Sequence, residues 1–231
     1  MKRVITILSL IFVLFEVNSQ EKEFRSPDYD SISIVIADTN SACFYPKLLL
    51  RLEQWDTTLT TEDYRILYYG FTYKPEYQPY WRSPYDDEMR EYYQSKKLSD
   101  KDCDKVIELI SKSLKENPFD LRQLNFLAYA YKLKEDEITS GKVISRFFGI
   151  ISAIRSTGNG ETCETGYHVI STSHEYVFLN LFEFQFVSQA LTADLCDFMQ
   201  VKIDERGIDG VYFQISRLWN VNIERMKSLR K

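Results

Sequence analysis

Apolar residues recur at three- and four-residue steps through the first two thirds of the chain, a period that predicts amphipathic helices. Residues 44–55 carry leucines and an aromatic residue at this spacing. Residues 61–71 repeat the pattern, and either Thr60 or Thr61 can cap this second helix, so the two segments predict a helical hairpin. Residues 20–31, which precede them, are polar and predict a loosely held lead-in.

Two further amphipathic helices are predicted over residues 104–116 and 119–134, with Asn117 and Pro118 forming the turn between them. A third helix is predicted over about 137–154. An Asn-Pro turn between paired helices, with an Ala-Tyr step in the second helix, resembles a tetratricopeptide unit of about 34 residues. A single unit of this kind does not bury its own core, so these helices need another surface to pack against.

Residues 74–85 break the helical pattern, because three prolines alternate with tyrosines and a tryptophan. We expect an extended loop here. Its candidate binding residues are Tyr77, Tyr80, Trp81 and Arg82. Aromatic rings with a polar tip can stack on sugars, and they can equally pack a loop onto neighbouring helices. The loop is therefore a candidate glycan site or a structural segment.

The last third of the chain changes from helical spacing to alternation, which is the pattern of strands. Strands are predicted over residues 184–188, 198–203 and 211–215. Residues 167–171 can form another strand, and residues 175–182 fit either a buried helix or a strand.

Helices first and strands afterwards is the order of an α+β domain. We predict N-terminal tetratricopeptide-like helical hairpins, within about residues 42–154, packed on a small, mostly antiparallel C-terminal β-sheet, within about residues 163–217. The two parts together are predicted to form a single domain over residues 20–231.

Residues 1–19 have the three parts of a secretory signal: a basic start, an apolar run over residues 4–15, and a small-residue cleavage site before Gln20. The apolar run is shorter than the roughly 20 residues that span a bilayer. The sequence thus predicts an exported protein, periplasmic or secreted, with no membrane span once the signal is removed. An uncleaved N-terminal anchor helix is the alternative.

The chain is acidic, with 34 acidic against 29 basic residues and a formal charge of −5. Because an acidic chain repels phosphate backbones, nucleic acid is not expected as a partner. The four cysteines, Cys43, Cys103, Cys163 and Cys196, permit two disulfides in any of three pairings in an exported protein. They can also remain small buried thiols.

Nine short motifs occur in order along nearly all of the chain. They are Tyr45-Pro46-Lys47, Asp56-Thr57-Thr58-Leu59-Thr60, Tyr68-Tyr69-Gly70, Pro79-Tyr80 with Arg82-Ser83, Asn117-Pro118-Phe119, Ser156-Thr157-Gly158-Asn159-Gly160, His168-Val169-Ile170, His174-Glu175-Tyr176 and Tyr212-Phe213. Together they resemble the domain of unknown function family 4919, a set of exported bacterial proteins typical of Bacteroidetes. The resemblance implies export and a single domain, and it implies no particular activity.

The candidate metal ligands are Cys163, His168, His174 and Cys196, because thiolate and imidazole are preferred ligands of zinc. Their spacing matches no zinc-finger pattern, and no second histidine follows His174 and Glu175 where a zinc-peptidase helix needs one. No cofactor is therefore assigned. The alternative is that the histidines are structural and bond to backbone groups or carboxylates.

Three functions follow from these patterns. The first is a non-catalytic binding or scaffold module of the cell envelope, whose helical hairpins present a groove to a protein or peptide. The second is a metal-dependent hydrolase centred on His168, His174 and Glu175, with Tyr176 in the same cluster and Glu175 as the acid and base. The third is a glycan-binding protein that uses Tyr80 and Trp81. Convergence of the two histidines and the glutamate in one open pocket would favour the hydrolase.

Overall fold

The computed structural model describes residues 24–95, 97–203 and 205–228. The predicted signal, residues 1–19, and the predicted cleavage site before Gln20 lie outside these residues. No helix within the described ranges is long and apolar enough to cross a membrane.

Helices dominate the first two thirds of the chain, as the spacing of apolar residues predicts. They are α1 (Tyr29–Ala37), α2 (Tyr45–Glu53), α3 (Thr61–Gly70), α4 (Asp86–Gln94), α5 (Asp100–Glu116), α6 (Leu121–Leu133) and α7 (Glu137–Arg155). Two more, α8 (Thr172–Leu181) and α9 (Ser216–Ser228), lie among and after the strands. The starts of α3 and α5 are fixed by capping boxes, in which Thr60 bonds reciprocally with Asp63 and Ser99 with Asp102.

The strands lie in the C-terminal part of the chain, where alternation predicts them. They are β1 (Tyr167–His168), β2 (Phe186–Leu191), β3 (Cys196–Val201) and β4 (Gly210–Gln214). Their order in the sheet is β1-β4-β3-β2. The β2–β3 and β3–β4 pairs are antiparallel and β1 runs parallel to β4, so the predicted α+β fold with a mostly antiparallel sheet is confirmed.

Two segments differ from their predicted structure, and a third, for which either a helix or a strand was predicted, is now assigned. The polar lead-in contains the start of α1, because the Asp28 side chain accepts a hydrogen bond from the Ser31 N–H and caps the helix. Residues 175–182, which fit either structure, lie mostly in the helix α8. The strand predicted over residues 167–171 is only two residues long, because the Ile170 N–H donates to the Tyr68 hydroxyl at 3.2 Å.

Buried side chains from the helices and from the sheet form one continuous apolar cluster. In its helical part α7 packs against both α3 and α6. Gly149 allows the close approach of α7 to α3, since a Cβ atom there would lie 2.2 Å from the Tyr64 ring. In its sheet part the Phe178 ring of α8 packs against the Tyr167 and Phe213 rings, with centroid distances of 4.5 and 5.6 Å. The helices thus have the additional packing surface that the sequence requires, while the tetratricopeptide likeness stays a prediction.

Candidate functional site

A disulfide joins Cys163 and Cys196, with their Cα atoms 5.8 Å apart. Neither sulfur is therefore a thiolate, which corrects their assignment as candidate metal ligands. Cys43 and Cys103 are free thiols. Across the described parts of the chain, no three His, Cys, Asp or Glu side chains are grouped so that they could hold a metal ion.

His168 is held by its backbone at the start of the sheet. Its N–H donates to the Thr157 hydroxyl at 3.0 Å, and its carbonyl accepts from the Tyr69 hydroxyl at 3.1 Å. Burial lowers the pKa of the imidazole to about 4, and the positive charge of Arg65 adds to this effect. The ring is therefore neutral at neutral pH.

His174 lies in the first turn of α8 and is buried. Its Nδ1 atom is 2.6 Å from the Tyr68 hydroxyl oxygen. That oxygen also accepts from the Ile170 N–H, and the Phe119 backbone interacts with the ring, so the arrangement fits a hydroxyl that donates to Nδ1 and a ring proton on Nε2. Burial lowers the pKa of His174 to about 3, and a hydrogen bond with the Phe119 backbone opposes this effect. Nε2 makes no hydrogen bond of good geometry with any residue in the described ranges.

Glu175 and Asp197 bring two acidic side chains together inside the protein. Glu175 is fully buried and Asp197 is 4% exposed. Among the residues that the structure describes, neither Glu175 oxygen has a hydrogen-bond partner, and the Asp197 carboxyl group of β3 acts on it electrostatically. Burial, followed by the charge of Asp197, raises the pKa of Glu175 well above its ordinary value. Burial also raises the pKa of Asp197, although hydrogen bonds from Gln189 and Glu175 oppose that rise.

Tyr176 connects this acidic pair to the surface. Its hydroxyl donates to Gln189 Oε1 at 2.8 Å, and Gln189 Nε2 donates to Asp197 Oδ2 at 2.7 Å. Because Asp197 accepts this bond and Glu175 has no other partner, the arrangement fits a carboxylate at Asp197 and a protonated Glu175. Burial raises the pKa of Tyr80, and the negative charges of Asp197 and Glu175 raise it further.

An open groove of about 890 Å³ runs beside α8. It is lined by Tyr80, Trp81, Arg82, Ser83, Pro84, Asp86, Asp87, Arg90, Tyr93, Asp120, Arg122, Ser171, Thr172, Ser173, Tyr176, Val177 and Asn180. Three of the four candidate loop residues, Tyr80, Trp81 and Arg82, thus share a surface with Tyr176 of the candidate cluster. Tyr77 does not join them, because it is buried and its hydroxyl donates to the Ile170 carbonyl at 2.7 Å.

The charges that line the groove are mostly paired. Arg122 lies 3.0 Å from Asp86, and its guanidinium carbon is 5.2 Å from the centre of the Tyr93 ring. Arg90 lies 2.7 Å from Asp87. Arg82 is exposed and forms no ion pair with any residue that the structure describes. It therefore presents a positive charge to the groove.

A small inner pocket of about 10 Å³ adjoins the groove at Trp81 and Ser171. His174 and Asn117 also line it. Its volume is near the lower limit for a single water molecule. The inner pocket therefore has no room for a substrate, and His174 is the only one of the three hydrolase residues that reaches it.

The model of one protein family, described as a domain of unknown function (DUF4919), matches residues 30–224. This match covers most of the chain. The chain belongs to the DUF4919 family. The family resemblance of the nine sequence motifs is thereby confirmed. No curated protein and no solved structure matches the chain.

Within this DUF4919 domain, the sequence predictions missed three residues that organise the site: Tyr68, Gln189 and Asp197. Tyr68 and His174 are 106 positions apart in the sequence, and no local motif links them. Asp197 carried one signal, since it is a charged residue beside Cys196 at the start of an apolar strand. Such a residue is either exposed or paired inside the protein.

Proposed function

We propose that this DUF4919 protein is a non-catalytic binding module of the cell envelope that holds an extended peptide segment of a partner protein. The observation that carries the proposal is the open groove between the loop at Tyr80–Arg82 and helix α8. Its volume of about 890 Å³ lies within the usual range of ligand sites. Export is supported by the predicted signal and by the disulfide, since disulfides persist in oxidising compartments.

The groove favours a peptide because of the residue types that it exposes. Tyrosine, tryptophan and arginine are enriched at the energetic centres of protein interfaces. Tyr80 is 52% exposed in the absence of a partner, and Trp81 lies beside it. The guanidinium of Arg82, which has no ion pair among the described residues, can form two parallel hydrogen bonds with a carboxylate. We therefore expect the bound peptide to carry aspartate, glutamate or a free C-terminus at the position facing Arg82.

The alternative function is a metal-dependent hydrolase centred on His168, His174 and Glu175. The positions of these three residues give it little support. Glu175 is buried against Asp197, His174 reaches the small inner pocket, and His168 lies near Arg65. None of the three lines the groove. A general acid and base must come within hydrogen-bonding reach of the substrate, and the fully buried carboxyl of Glu175 has no such access.

The test is binding to an array of synthetic ten-residue peptides that differ in acidic content and in a free or amidated C-terminus. Trp81→Ala and Arg82→Ala should each weaken binding of the selected peptide about tenfold or more, as expected for central interface residues. Tyr129→Ala is the matched control, because Tyr129 is an exposed tyrosine outside the groove and its loss should leave affinity unchanged.

Two outcomes would contradict the proposal. If no peptide binds, or if the Tyr129→Ala change weakens binding as much as Trp81→Ala, the groove is not a peptide site. If the protein is instead retained on a polysaccharide gel and Trp81→Ala releases it, the ligand is a glycan that stacks on the tryptophan ring.

A further inference from the structure

Strand β2 forms one edge of the sheet, and in the described part of the chain this edge has no partner. The strand order β1-β4-β3-β2 places β3 on one side of β2 and no strand on the other. All six residues of β2 are exposed. Proteins usually protect such an edge with charged residues, proline or a bulge, since its unpaired backbone groups accept a further strand. β2 contains no charge and no proline, and its one irregularity in pairing lies near its start, between Phe186 and Ser188.

The hydrogen-bond pattern identifies the backbone groups on this edge. Facing residues of an antiparallel pair alternate between those that exchange backbone hydrogen bonds and those that do not. The Thr192 N–H donates to the Cys196 carbonyl at 2.8 Å, so the second and fourth residues before Thr192 also bond to β3. The N–H and C=O groups of Gln189 and Leu191 therefore point away from β3. None of these four groups has a hydrogen-bond partner among the described residues.

Apolar side chains accompany these backbone groups. Phe186, Val187 and Leu191 are 45%, 56% and 49% exposed. No charged residue occurs between Glu183 and Asp194 in the sequence. A segment that joins this edge therefore meets no charge that needs a partner, and apolar side chains at its alternate positions would cover those of β2.

The edge adjoins the groove through Tyr176. This residue lines the groove, its hydroxyl donates to Gln189 Oε1 at 2.8 Å, and its ring centre lies 5.4 Å from that of Phe186. A peptide that leaves the groove past Tyr176 reaches β2.

A second copy of the chain is the other source of a strand. Two six-residue strands share only about 20 Å of contact length, and the pairing of two strands alone is marginally stable in water. A peptide that is already held in the groove does not depend on the edge alone. The peptide is therefore the better partner for β2.

We infer that the peptide held in the groove continues along β2 as an added strand of the sheet, bonded to the outward backbone groups of Gln189 and Leu191. This inference rests on the proposed function of the groove, and it adds the conformation and the chemistry of the bound segment. The continuing segment is extended and uncharged, with apolar residues at alternate positions.

Amide hydrogen exchange, resolved for each residue by NMR, gives a pattern that an added strand produces. In the free protein the amides of Ser188 and Ala190 should be protected by β3, and those of Gln189 and Leu191 should exchange freely. At a peptide concentration of about 100 times its Kd, Gln189 and Leu191 should become protected about tenfold or more. The protection of Ser188 and Ala190 should change little.

Three peptides serve as probes. One is the ten-residue peptide selected on the array, and the other two carry Thr-Val-Thr-Val-Thr-Val at one end or the other, because these residues favour strands. N-methylation of every second residue in the protecting segment removes the N–H groups on one edge of the added strand. Of the two alternate sets, one should abolish the protection and the other should retain it.

One substitution in the protein tests the same edge. Leu191→Pro removes an outward N–H, and proline is tolerated at an edge position of this kind, so the variant should weaken binding of the protecting peptide. Leu191→Val is the matched control and should retain its affinity, since valine keeps the N–H and an apolar side chain.

The outcomes separate this inference from the proposed function. If the selected peptide binds with the expected dependence on Trp81 and no form protects Gln189 and Leu191, strand addition is refuted and the groove remains the site. If no form binds, the proposed function fails and the inference fails with it. If Gln189 and Leu191 become protected as the concentration of the protein alone rises, the edge pairs with a second copy and the inference is wrong.

Discussion

The buried His174 and the half-buried His168 should make the protein sensitive to acid, and His174 allows this to be measured. Its pKa is about 3 in the folded protein and 6.5 ordinarily. A folded-state pKa below the unfolded one means that stability is complete above about pH 6.5 and declines as the pH falls. At pH 5 the linkage amounts to about 2 kcal/mol for His174, relative to pH 8. His168, with a pKa of about 4, adds a further loss of about 2 kcal/mol.

His174→Asn is the informative substitution. The asparagine side-chain oxygen can take the place of Nδ1 and accept the hydroxyl proton of Tyr68, while the titrating group is removed. The free energy of unfolding is measured by urea titration, followed by circular dichroism, at pH 8, 7, 6 and 5. The difference in stability between the unchanged protein and the variant should shift by about 2 kcal/mol in favour of the variant between pH 8 and pH 5.

Taking this difference removes other pH effects, including the opposite one of the Glu175–Asp197 pair. A second variant, His168→Asn, should show a similar shift. The shifts should add in the double variant if the two rings titrate independently. A difference between the unchanged protein and His174→Asn that stays constant from pH 8 to pH 5 would refute the reasoning. It would mean that the folded protein accommodates a protonated His174.

Three further variants test the fold, each by urea unfolding. Replacing both Cys163 and Cys196 by serine should lower the free energy of unfolding by about 3–4 kcal/mol, because a disulfide that closes a loop of this length reduces the entropy of the unfolded chain. An unchanged stability would show that the bond does not form in solution. Gly149→Ala should cost about 1–3 kcal/mol, because the added methyl group meets the Tyr64 ring; a variant of full stability would place α7 farther from α3. Thr60→Ala should cost about 1 kcal/mol by removing one half of a capping box, and no loss would indicate that the cap is not used.

The sequence predicts a helix well where the spacing of apolar residues and the capping residues indicate the same segment. The segments of α5 and α6 have long apolar faces and clear ends, and both were predicted within a few residues. The segment of α1 was missed because its β-branched residues do not favour a helix. Its helical form depends on the Asp28 cap and on the burial of Ile32 and Ile36, four positions apart, against the rest of the protein. Such tertiary contacts are not visible in local propensity.

The sequence identifies individual residues of the candidate site, but it does not show which residues contact each other. The aromatic loop, the two histidines and Glu175 stand out by residue type alone. Their partners come from distant segments: Tyr68 for His174, and Asp197 for Glu175. Contacts between residues so far apart in sequence depend on the final packing of α3, α8 and β3, which a single sequence does not specify.

The geometry of a helix explains why the cluster His174, Glu175 and Tyr176 is divided among three surroundings. Successive residues of an α-helix point about 100° apart, so three adjacent side chains cannot converge on one point. His174 therefore contacts Tyr68 of the helical part, Glu175 contacts Asp197 of the sheet, and Tyr176 lines the groove. Adjacency in sequence is thus poor evidence for a shared catalytic centre on a helix. The same division lets one turn of α8 contact both parts of the fold while Tyr176 lines the groove.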